Sequence, residues 1–261
     1  MSEGAATVLV LGTGTSHGVP MIGCECATCQ STDARDRRSR ASIYIQIKGG
    51  PSVLVDTTPD LRMQALAHRL NRVDAIVYTH SHADHVMGLD DVRRFNMLQK
   101  SAIPCYGDER TLNDLRRIYA YIFDADTPSG GGIPQVTTAR VMGEFCLGPA
   151  TFVPVPLMHG TRTILGYRIG SFAYLTDCSA IPDASWPLLA GVRTLILDAL
   201  RERPHPTHLS LNQALEVVER IKPERALFTH MCHDLPHAAT CARLPAAAQL
   251  AYDGQTFEID L

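Results

Sequence analysis

Four side chains that can bind a metal ion lie within six residues near position 80. The segment is Thr79-His80-Ser81-His82-Ala83-Asp84-His85, with the spacing His-x-His-x-Asp-His. Imidazole and carboxylate ligands suit zinc, manganese or iron, so the ligand set alone does not select among these metals. The spacing predicts that His80 and His82 bind one cation, and that Asp84 and His85 bind a second cation close to the first.

A buried strand must position this segment. The run Val73 to Tyr78 directly before it is short, apolar and rich in β-branched residues, which is typical of a strand covered on both faces. A single histidine is usually an ordinary core or surface residue. Four ligands in six positions directly after a strand are hard to explain without a metal site.

The segment resembles the HxHxDH signature of the metallo-β-lactamase superfamily, in which it opens a dinuclear metal centre. The resemblance implies an α/β fold, a four-layer αββα sandwich. It also implies three further ligands downstream, a histidine, an aspartate and a histidine, each after a strand. His159, Asp177 and His230 occur in this order.

The resemblance also distributes the ligands over two divalent cations, zinc or manganese. The first cation would be bound by His80, His82 and His159, the second by Asp84, His85 and His230, and Asp177 would bridge the two. Two such cations lower the pKa of a shared water, so that hydroxide forms at neutral pH.

Three cysteines near the N-terminus form a second group of potential ligands. Thiolates spaced as Cys24, Cys26 and Cys29 can share one tetrahedral zinc with a distant fourth ligand. The stretch Gly14 to Cys29, with the pattern Gly-Thr-Ser-His-Gly-Val-Pro-x-x-Gly-Cys-x-Cys-x-x-Cys, is similar to the phosphoribosyl cyclic phosphodiesterases of phosphonate breakdown.

That subfamily holds an extra structural zinc on these cysteines and a late histidine. The resemblance therefore implies His233 as the fourth ligand of the zinc. Cys232 is a rival ligand, and His237 is a weaker one.

The glycine-rich stretch Gly12 to Gly18 follows a predicted strand, Thr7 to Leu11. A dinucleotide-binding loop would need a helix to begin there, but Val19-Pro20 follows instead. We predict a flexible loop that brings backbone amides and His17 near a site, where His17 supports a ligand or contacts substrate.

The predicted catalytic residues are Asp84, which is also a ligand, and His208. A histidine at the place of His208 reaches the phosphate in the phosphodiesterase subfamily. A cationic imidazole there would stabilise the transition state or protonate the leaving oxygen. Its neighbour His205 is predicted to be a bystander, and Asp56, at a strand end, can accept the free N–H of a metal-bound histidine.

These features predict a metal-dependent hydrolase that opens a small cyclic ribosyl phosphodiester to a monoester through metal-bound hydroxide. One alternative is another hydrolase with the same centre: a lactonase, a thioesterase or a tRNA 3′-end nuclease. The nuclease would need an RNA-gripping arm or a basic surface, and neither is evident in the sequence. The other alternative is a non-catalytic relative of the quinone-cofactor biosynthesis protein, but it would have an eroded HxHxDH motif.

Composition predicts one globular domain, residues 1–261, with two αβ halves at roughly 1–140 and 141–261. Hydrophobic residues make up 45% and the net charge is −3, which argues against capture of nucleic acid. No run approaches the roughly 18 apolar residues of a membrane span, so no membrane is expected. The N-terminus lacks a positive n-region, and the cysteine spacing suits a metal site, so we expect a reducing cytoplasm. A homodimer is left open.

Periodicity predicts helices at 60–70, 87–99, 111–122 and 209–221. Strands are predicted at 7–11, 42–47, 52–56, 73–78, 103–106, 145–147, 151–155, 165–169, 172–175, 192–197, 226–229 and 257–259. Asp124 to Ile133 is predicted to be a mobile loop over a pocket. Every candidate ligand follows the C-terminal end of a strand, where β/α folds gather their sites.

Overall fold

Fourteen strands of the described residues form two seven-stranded sheets. The structure is a computed structural model that describes residues 4–124, 126, 127 and 132–261. The strands are β1 Ala5–Gly12, β2 Ser42–Ile47, β3 Ser52–Val55, β4 Ala75–Val77, β5 Ile103–Gly107, β6 Val136–Arg140, β7 Phe145–Leu147, β8 Ala150–His159, β9 Arg162–Ile169, β10 Phe172–Leu175, β11 Thr194–Asp198, β12 Arg225–Thr229, β13 Ala248–Leu250 and β14 Thr256–Asp260. The first sheet has the order β14-β1-β2-β3-β4-β5-β6, and the second has the order β13-β12-β11-β10-β9-β8-β7.

Seven α-helices accompany the sheets in the part of the chain that the structure describes. They are α1 Leu61–Ala67, α2 Ala83–Val86, α3 Arg93–Gln99, α4 Glu109–Ile118, α5 Ala120–Phe123, α6 Leu211–Ile221 and α7 His237–Cys241. Short 3-10 helices cover Ala34–Asp36, Leu89–Val92 and Asp183–Leu189. None of the described helices is long and apolar enough to cross a membrane.

Three apolar clusters define four layers. One cluster joins inward side chains of both sheets, among them Val8 and Phe152, and therefore lies between the sheets. A second packs the first sheet against α1, α3 and α4, and a third packs the second sheet against α6. The order helix, sheet, sheet, helix confirms the predicted αββα sandwich. The first sheet uses β1 to β6 together with the C-terminal β14, which pairs with β1.

Some predicted elements differ from the observed ones. The predicted helix 87–99 is a 3-10 turn, Leu89–Val92, followed by α3. A short helix, α2, already begins inside the ligand motif. Strands β6 and β13 were not predicted from the sequence. Both are short and partly exposed, so they show little of the apolar pattern that indicates a strand. Residues 125 and 128–131 of the predicted mobile loop lie outside the described residues.

The loop after β1 is held in place, contrary to the predicted flexibility. Its backbone N–H at Gly14 donates to Ser39 O at 2.7 Å, and Thr15 N–H donates to Met231 O at 3.1 Å. At Gly12, a Cβ atom would lie 2.0 Å from the carbonyl oxygen of Arg40, so only glycine fits this close approach. The loop therefore connects two distant segments by backbone hydrogen bonds.

A buried arginine makes the same connection with its side chain. The Arg38 side chain is fully buried and lies 3.3 Å from Asp36. Its guanidinium also donates to the carbonyl oxygens of Cys232 and Leu235. Asp36 in turn accepts a hydrogen bond from the backbone N–H of His237 at 2.8 Å. The N-terminal segment is thus joined to the region that carries His233.

We expect Arg38→Met to lower the free energy of unfolding by about 3–5 kcal/mol, because it leaves a buried carboxylate and two carbonyls without their cation. Chemical denaturation measures the change. Arg35→Met is the matched control, because Arg35 forms an exposed ion pair with Asp33 in the same segment. Equal stability of the two variants would contradict the importance of the buried guanidinium.

Candidate metal centre

The residues of the HxHxDH motif meet ligands from the second sheet at the gap between the two sheets. His80 and His82 lie after β4, and His159 ends β8. The ring centroids are 4.6 Å apart for His80 and His82, 5.5 Å for His80 and His159, and 5.0 Å for His82 and His159. One ligand atom from each residue lies within 4.8 Å of the others, so these three histidines form a first ligand cluster.

Four side chains form a second ligand cluster beside the first: Asp84, His85, Asp177 and His230. Nε2 of His230 lies 3.1 Å from Oδ2 of Asp177 and 3.4 Å from Oδ2 of Asp84. Nε2 of His85 lies 3.2 Å from Oδ1 of Asp177. Asp177 also lies 3.8 Å from Nε2 of His80 in the first cluster, the position that a bridging carboxylate occupies.

Strained backbone turns the side chains of this site inward. Asp56, Asp177 and His230 have φ angles of 65°, 58° and 58°. Each residue follows a strand directly or one residue later. The left-handed region costs a non-glycine residue of order 1 kcal/mol and is concentrated at functional sites. Periodicity in the sequence gives no sign of it.

Outer groups hold Nδ1 of two ligand histidines, one in each cluster. Nδ1 of His85 lies 2.8 Å from Asp56, which also accepts from the backbone and the hydroxyl of Thr79. Nδ1 of His159 lies 2.8 Å from the carbonyl oxygen of Thr207. Nε2 of His80 is buried and has no hydrogen-bond partner among the described residues, and Nε2 of His85 faces Asp177 and Asp84. Imidazoles held in this way fit a bound metal ion.

The charges at the centre are strongly coupled. Burial by itself raises the pKa of Asp177, but the imidazoles of His230 and His85 hold it well below its usual range. Burial likewise raises the pKa of Asp84, and His85 and His230 bring it below the normal value. Burial lowers the pKa of His85, whereas Asp177 and Asp84 raise it well above its usual range. The carboxylates therefore stay ionised, and a cation that binds here displaces the proton of His85.

Sequence reasoning assigned no role to Asp198, which lies behind the centre. Its side chain is fully buried at the end of β11, with Oδ2 3.2 Å from Nδ1 of His208 and 3.0 Å from the N–H of Leu209. Its Oδ1 lies 3.8 Å from Nδ1 of His230. The ring of His208 stacks at 4.7 Å on His230 and lies 4.8 Å from His159. The sequence did contain one signal for a role of Asp198: this carboxylate ends a strand, as the candidate ligands do.

The three N-terminal cysteines converge on one histidine. Their sulfur atoms lie 3.2, 3.4 and 3.6 Å from Nδ1 of His233, for Cys24, Cys26 and Cys29 respectively. The backbone N–H of Cys29 lowers the pKa of Cys26 to about 7. Burial raises the pKa of Cys29 to about 11. Three thiols and one imidazole match the donor set of a tetrahedral zinc site.

The rival ligands lie elsewhere. Sγ of Cys232 accepts a hydrogen bond from the N–H of Asp234 at 3.4 Å. His237 lies 3.7 Å from Cys241. Among the described residues, neither belongs to the cysteine cluster.

His17 is exposed and lines a cavity of about 300 Å³ beside the metal centre. The cavity also contains His205 and His208 together with Arg201 and Arg203. Two arginines therefore lie on the wall of this cavity, and Arg203 faces Asp234, which also lines it, at 3.5 Å; the remaining positive charge suits an anion.

The fold and the two ligand clusters define the class of this protein, the hydrolases of the metallo-β-lactamase fold. The side chains of both clusters are placed so that they can bind metal. Residues 52–231 match the family described as Beta-lactamase superfamily domain. The chain belongs to this superfamily, and the resemblance predicted from the HxHxDH motif is confirmed.

Three relatives show which members of the superfamily this chain is similar to. The solved structure of a diphosphatase from the PhnP family is 48% identical, with a TM-score of 0.92 and 98% of each chain covered. A curated relative from Porphyromonas gingivalis, named Octanoyltransferase, is 35% identical over 97% of this chain, which spans only 51% of that relative's length. Coenzyme PQQ synthesis protein B from Methylobacterium nodulans is 33% identical, over 73% of this chain and 71% of the relative.

We expect protein purified without chelator to hold two metal ions besides any cysteine-bound zinc. His82→Ala removes one of three ligands from the first cluster and should reduce the content by about one ion per chain. Elemental analysis gives the count. His68→Ala is the control, because His68 ends α1 and belongs to none of the described ligand clusters. Full metal content in His82→Ala would argue against the first cluster.

Cys26→Ser should release one zinc per chain and lower the Tm, because structural zinc contributes folding energy directly. A loss of even 2 kcal/mol corresponds to roughly 4–8 °C in a domain of this size. The measurements are elemental analysis and thermal unfolding. Cys146→Ser, at an exposed position in β7, is the matched control. An unchanged zinc content would exclude the cysteine site.

Proposed function

We propose that the chain is a metal-dependent phosphodiesterase that opens a cyclic, ribosyl-type phosphodiester to a monoester. The observation that carries this proposal is the Asp198–His208 pair, which places a proton-carrying group directly beside the two ligand clusters. The 48% identity to a PhnP-family diphosphatase supports attack at phosphorus rather than at carbon.

Two divalent cations, zinc or manganese, would be held by the two ligand clusters. The first cluster supplies His80, His82 and His159, and the second supplies Asp84, His85, Asp177 and His230. When bound, such ions polarise phosphoryl oxygens and lower the pKa of a bound water. Asp84 would be one of the ligands of the second cation and would take part in catalysis through it. A third ion, a structural zinc, would be held by the cysteine cluster and His233.

His208 and Asp198 together control one proton. The sequence led us to expect a cationic imidazole at His208. Burial instead lowers the pKa of His208, which disfavours the cationic form in the free protein. Burial also raises the pKa of Asp198 well above its usual range. A proton held between two such groups belongs to the pair. With the shared proton between Oδ2 of Asp198 and Nδ1, His208 carries its own proton on Nε2. When Nε2 gives that proton to the leaving oxygen, the shared proton stays on Nδ1 and Asp198 is left ionised.

The remaining groups of the cavity bind the anionic substrate. His17, Arg201 and Arg203 line its wall, while His205 accepts a hydrogen bond from the N–H of Thr207 and stays a bystander. The approach is therefore positive, which favours a phosphate ester over a neutral lactone. A thiolate zinc site suits a reducing compartment, so we propose a cytoplasmic location.

Cleavage of a diphosphate is the second candidate, favoured because the PhnP-family relative is named as a diphosphatase. The two reactions differ in the leaving group: a basic alkoxide in the diester and a phosphate in the diphosphate. The intact HxHxDH motif argues against the non-catalytic alternative, although Coenzyme PQQ synthesis protein B is a relative. The protein should also be assayed on lactones, thioesters and tRNA 3′ ends, which test the remaining alternatives to the proposal.

We expect His208→Ala to retain its metals and lose about a hundred- to ten-thousand-fold in kcat on a cyclic ribosyl phosphate. On bis-nitrophenyl phosphate the loss should be below about tenfold, because nitrophenolate departs unprotonated and needs no acid. Steady-state kinetics on both substrates, with His205→Ala as the control, measure the difference.

Equal losses on the two substrates would make His208 a phosphate-binding group rather than an acid. Cleavage of a dinucleoside diphosphate, with no turnover of cyclic phosphates, would favour the second candidate. Turnover of only lactones or thioesters would overturn the proposal.

A further inference from the structure

Strand β9 of the second sheet touches the motif segment of the first sheet at three successive points. The phenol of Tyr167 donates to the carbonyl oxygen of Tyr78 at 2.8 Å. The N–H of Leu165 donates to the carbonyl oxygen of Thr79 at 3.1 Å. The third contact joins two side chains: Nη2 of Arg162 donates to Oγ of Ser81 at 2.8 Å. These contacts hold the two sheets at a fixed separation where the ligands begin.

The third contact lies among the ligands of the first cluster. Ser81 stands between His80 and His82 in the chain. Arg162 pairs with His159 across the β8–β9 hairpin. One hydrogen bond therefore connects the loop that carries two ligands with the hairpin that carries the third.

A third element fixes the hydroxyl of Ser81. Its Oγ donates to Oδ2 of Asp114 in α4 at 2.6 Å, while it accepts from Arg162. Ser81 is buried, and its hydroxyl uses both its proton and a lone pair. A hydroxyl engaged on both sides has no second favourable orientation, so the chain Asp114, Ser81 and Arg162 is rigid.

A contribution to the stability of the fold does not by itself explain the buried position of the Arg162 guanidinium. The Nε atom of Arg162 is buried and has no hydrogen-bond partner among the described residues. Within that part of the chain, no carboxylate lies within salt-bridge distance of its guanidinium. Burying an N–H without a partner costs of order 1–3 kcal/mol, which offsets the gain from one hydrogen bond to a hydroxyl. The arrangement favours a role in geometry over a role in stability.

We propose that Arg162, Ser81 and Asp114 form a positioning chain that sets the spacing of His80, His82 and His159 around the first cation. The inference rests on the proposed dinuclear centre and is independent of its substrate. The chain touches only segments that carry ligands of the first cluster, because Ser81 lies between His80 and His82 and Arg162 pairs with His159, whereas His85 of the second cluster is held by Asp56. Loss of the positioning chain should therefore weaken one cation and spare the other.

The test is metal affinity in the full chain, stripped of exchangeable metal and titrated with Co²⁺. Arg162→Met should weaken one of the two equivalents by up to about 10–100-fold, the range for losing a direct outer partner of a metal ligand, because Arg162 supports the ligands through Ser81. The second equivalent should keep its affinity, and the visible spectrum of the weakened Co²⁺ should change. The weakened equivalent is identified as the one that His82→Ala loses. Zinc on the cysteine cluster is followed separately by elemental analysis.

Arg116→Met is the matched control and should bind both ions normally. Arg116 lies on α4 like Asp114, but its guanidinium contacts Asn113 and Thr138. Ser81→Ala should reproduce the loss, and the double variant Arg162→Met/Ser81→Ala should lose no more than either single variant.

Wild-type affinity for both ions in Arg162→Met would overturn the positioning role. Parallel weakening of both ions, with a lower Tm of the metal-free protein, would reduce Arg162 to a structural residue and also overturn it. Additive losses in the double variant would show two separate effects instead of one chain. A wild-type chain that binds fewer than two ions at the centre would instead overturn the proposed centre, which distinguishes the two failures.

Discussion

A group of carboxyl side chains buried between the two sheets is the constraint on which the structure depends. The carboxyl groups of Asp56, Asp177 and Asp198 are 0–2% exposed and lie close together at the strand ends. An isolated carboxylate in such a place would cost several kcal/mol. Each of them therefore faces an imidazole, and the imidazoles leave ring nitrogens pointing at one another across the gap. Divalent cations held by the two ligand clusters would balance the charge of the ionised carboxylates.

The four-layer sandwich brings these groups together from distant parts of the sequence. Strands of the first sheet end at Asp56 and at the HxHxDH motif, and strands of the second sheet end at His159, Asp177 and His230. Neither sheet contains a complete set of ligands for either cation. Assembly of the centre therefore depends on the apolar contact between the sheets and on the hydrogen bonds that cross it.

The N-terminal segment adds a second level of support around His230. Its glycine loop is hydrogen-bonded to Met231, and its buried Arg38 is bonded to Cys232 and Leu235. The cysteine cluster reaches His233, three residues after His230. A zinc bound there would fix the segment that carries a ligand of the catalytic centre and the wall of the adjoining cavity. Folding and catalysis are in this way coupled through four consecutive residues.

The chemistry of the cavity follows from its position. His208 lies over His230 and has Asp198 behind it, so a proton is available beside the ligands. Arginines on the rim would attract an anionic substrate of the kind proposed, and the buried ligands would confine its phosphorus to one side. The same arrangement would suit a diester or a diphosphate, because the two differ in how much they need the proton and not in how they would be held.

The sequence by itself determined the αββα class through its resemblance to the metallo-β-lactamase superfamily, which also implied all seven candidate ligands of the two clusters. It could do so because ligand spacing and strand ends are local features, and because the motif requires its downstream partners in a fixed order. Only the tertiary structure decided that His233, and not Cys232, meets the three cysteines. Only the structure joined Asp198 to His208 and Arg162 to Ser81, and only the structure divided the helix predicted over 87–99. These contacts join residues that are distant in sequence or depend on backbone angles, and neither leaves a periodic trace in the order of residues.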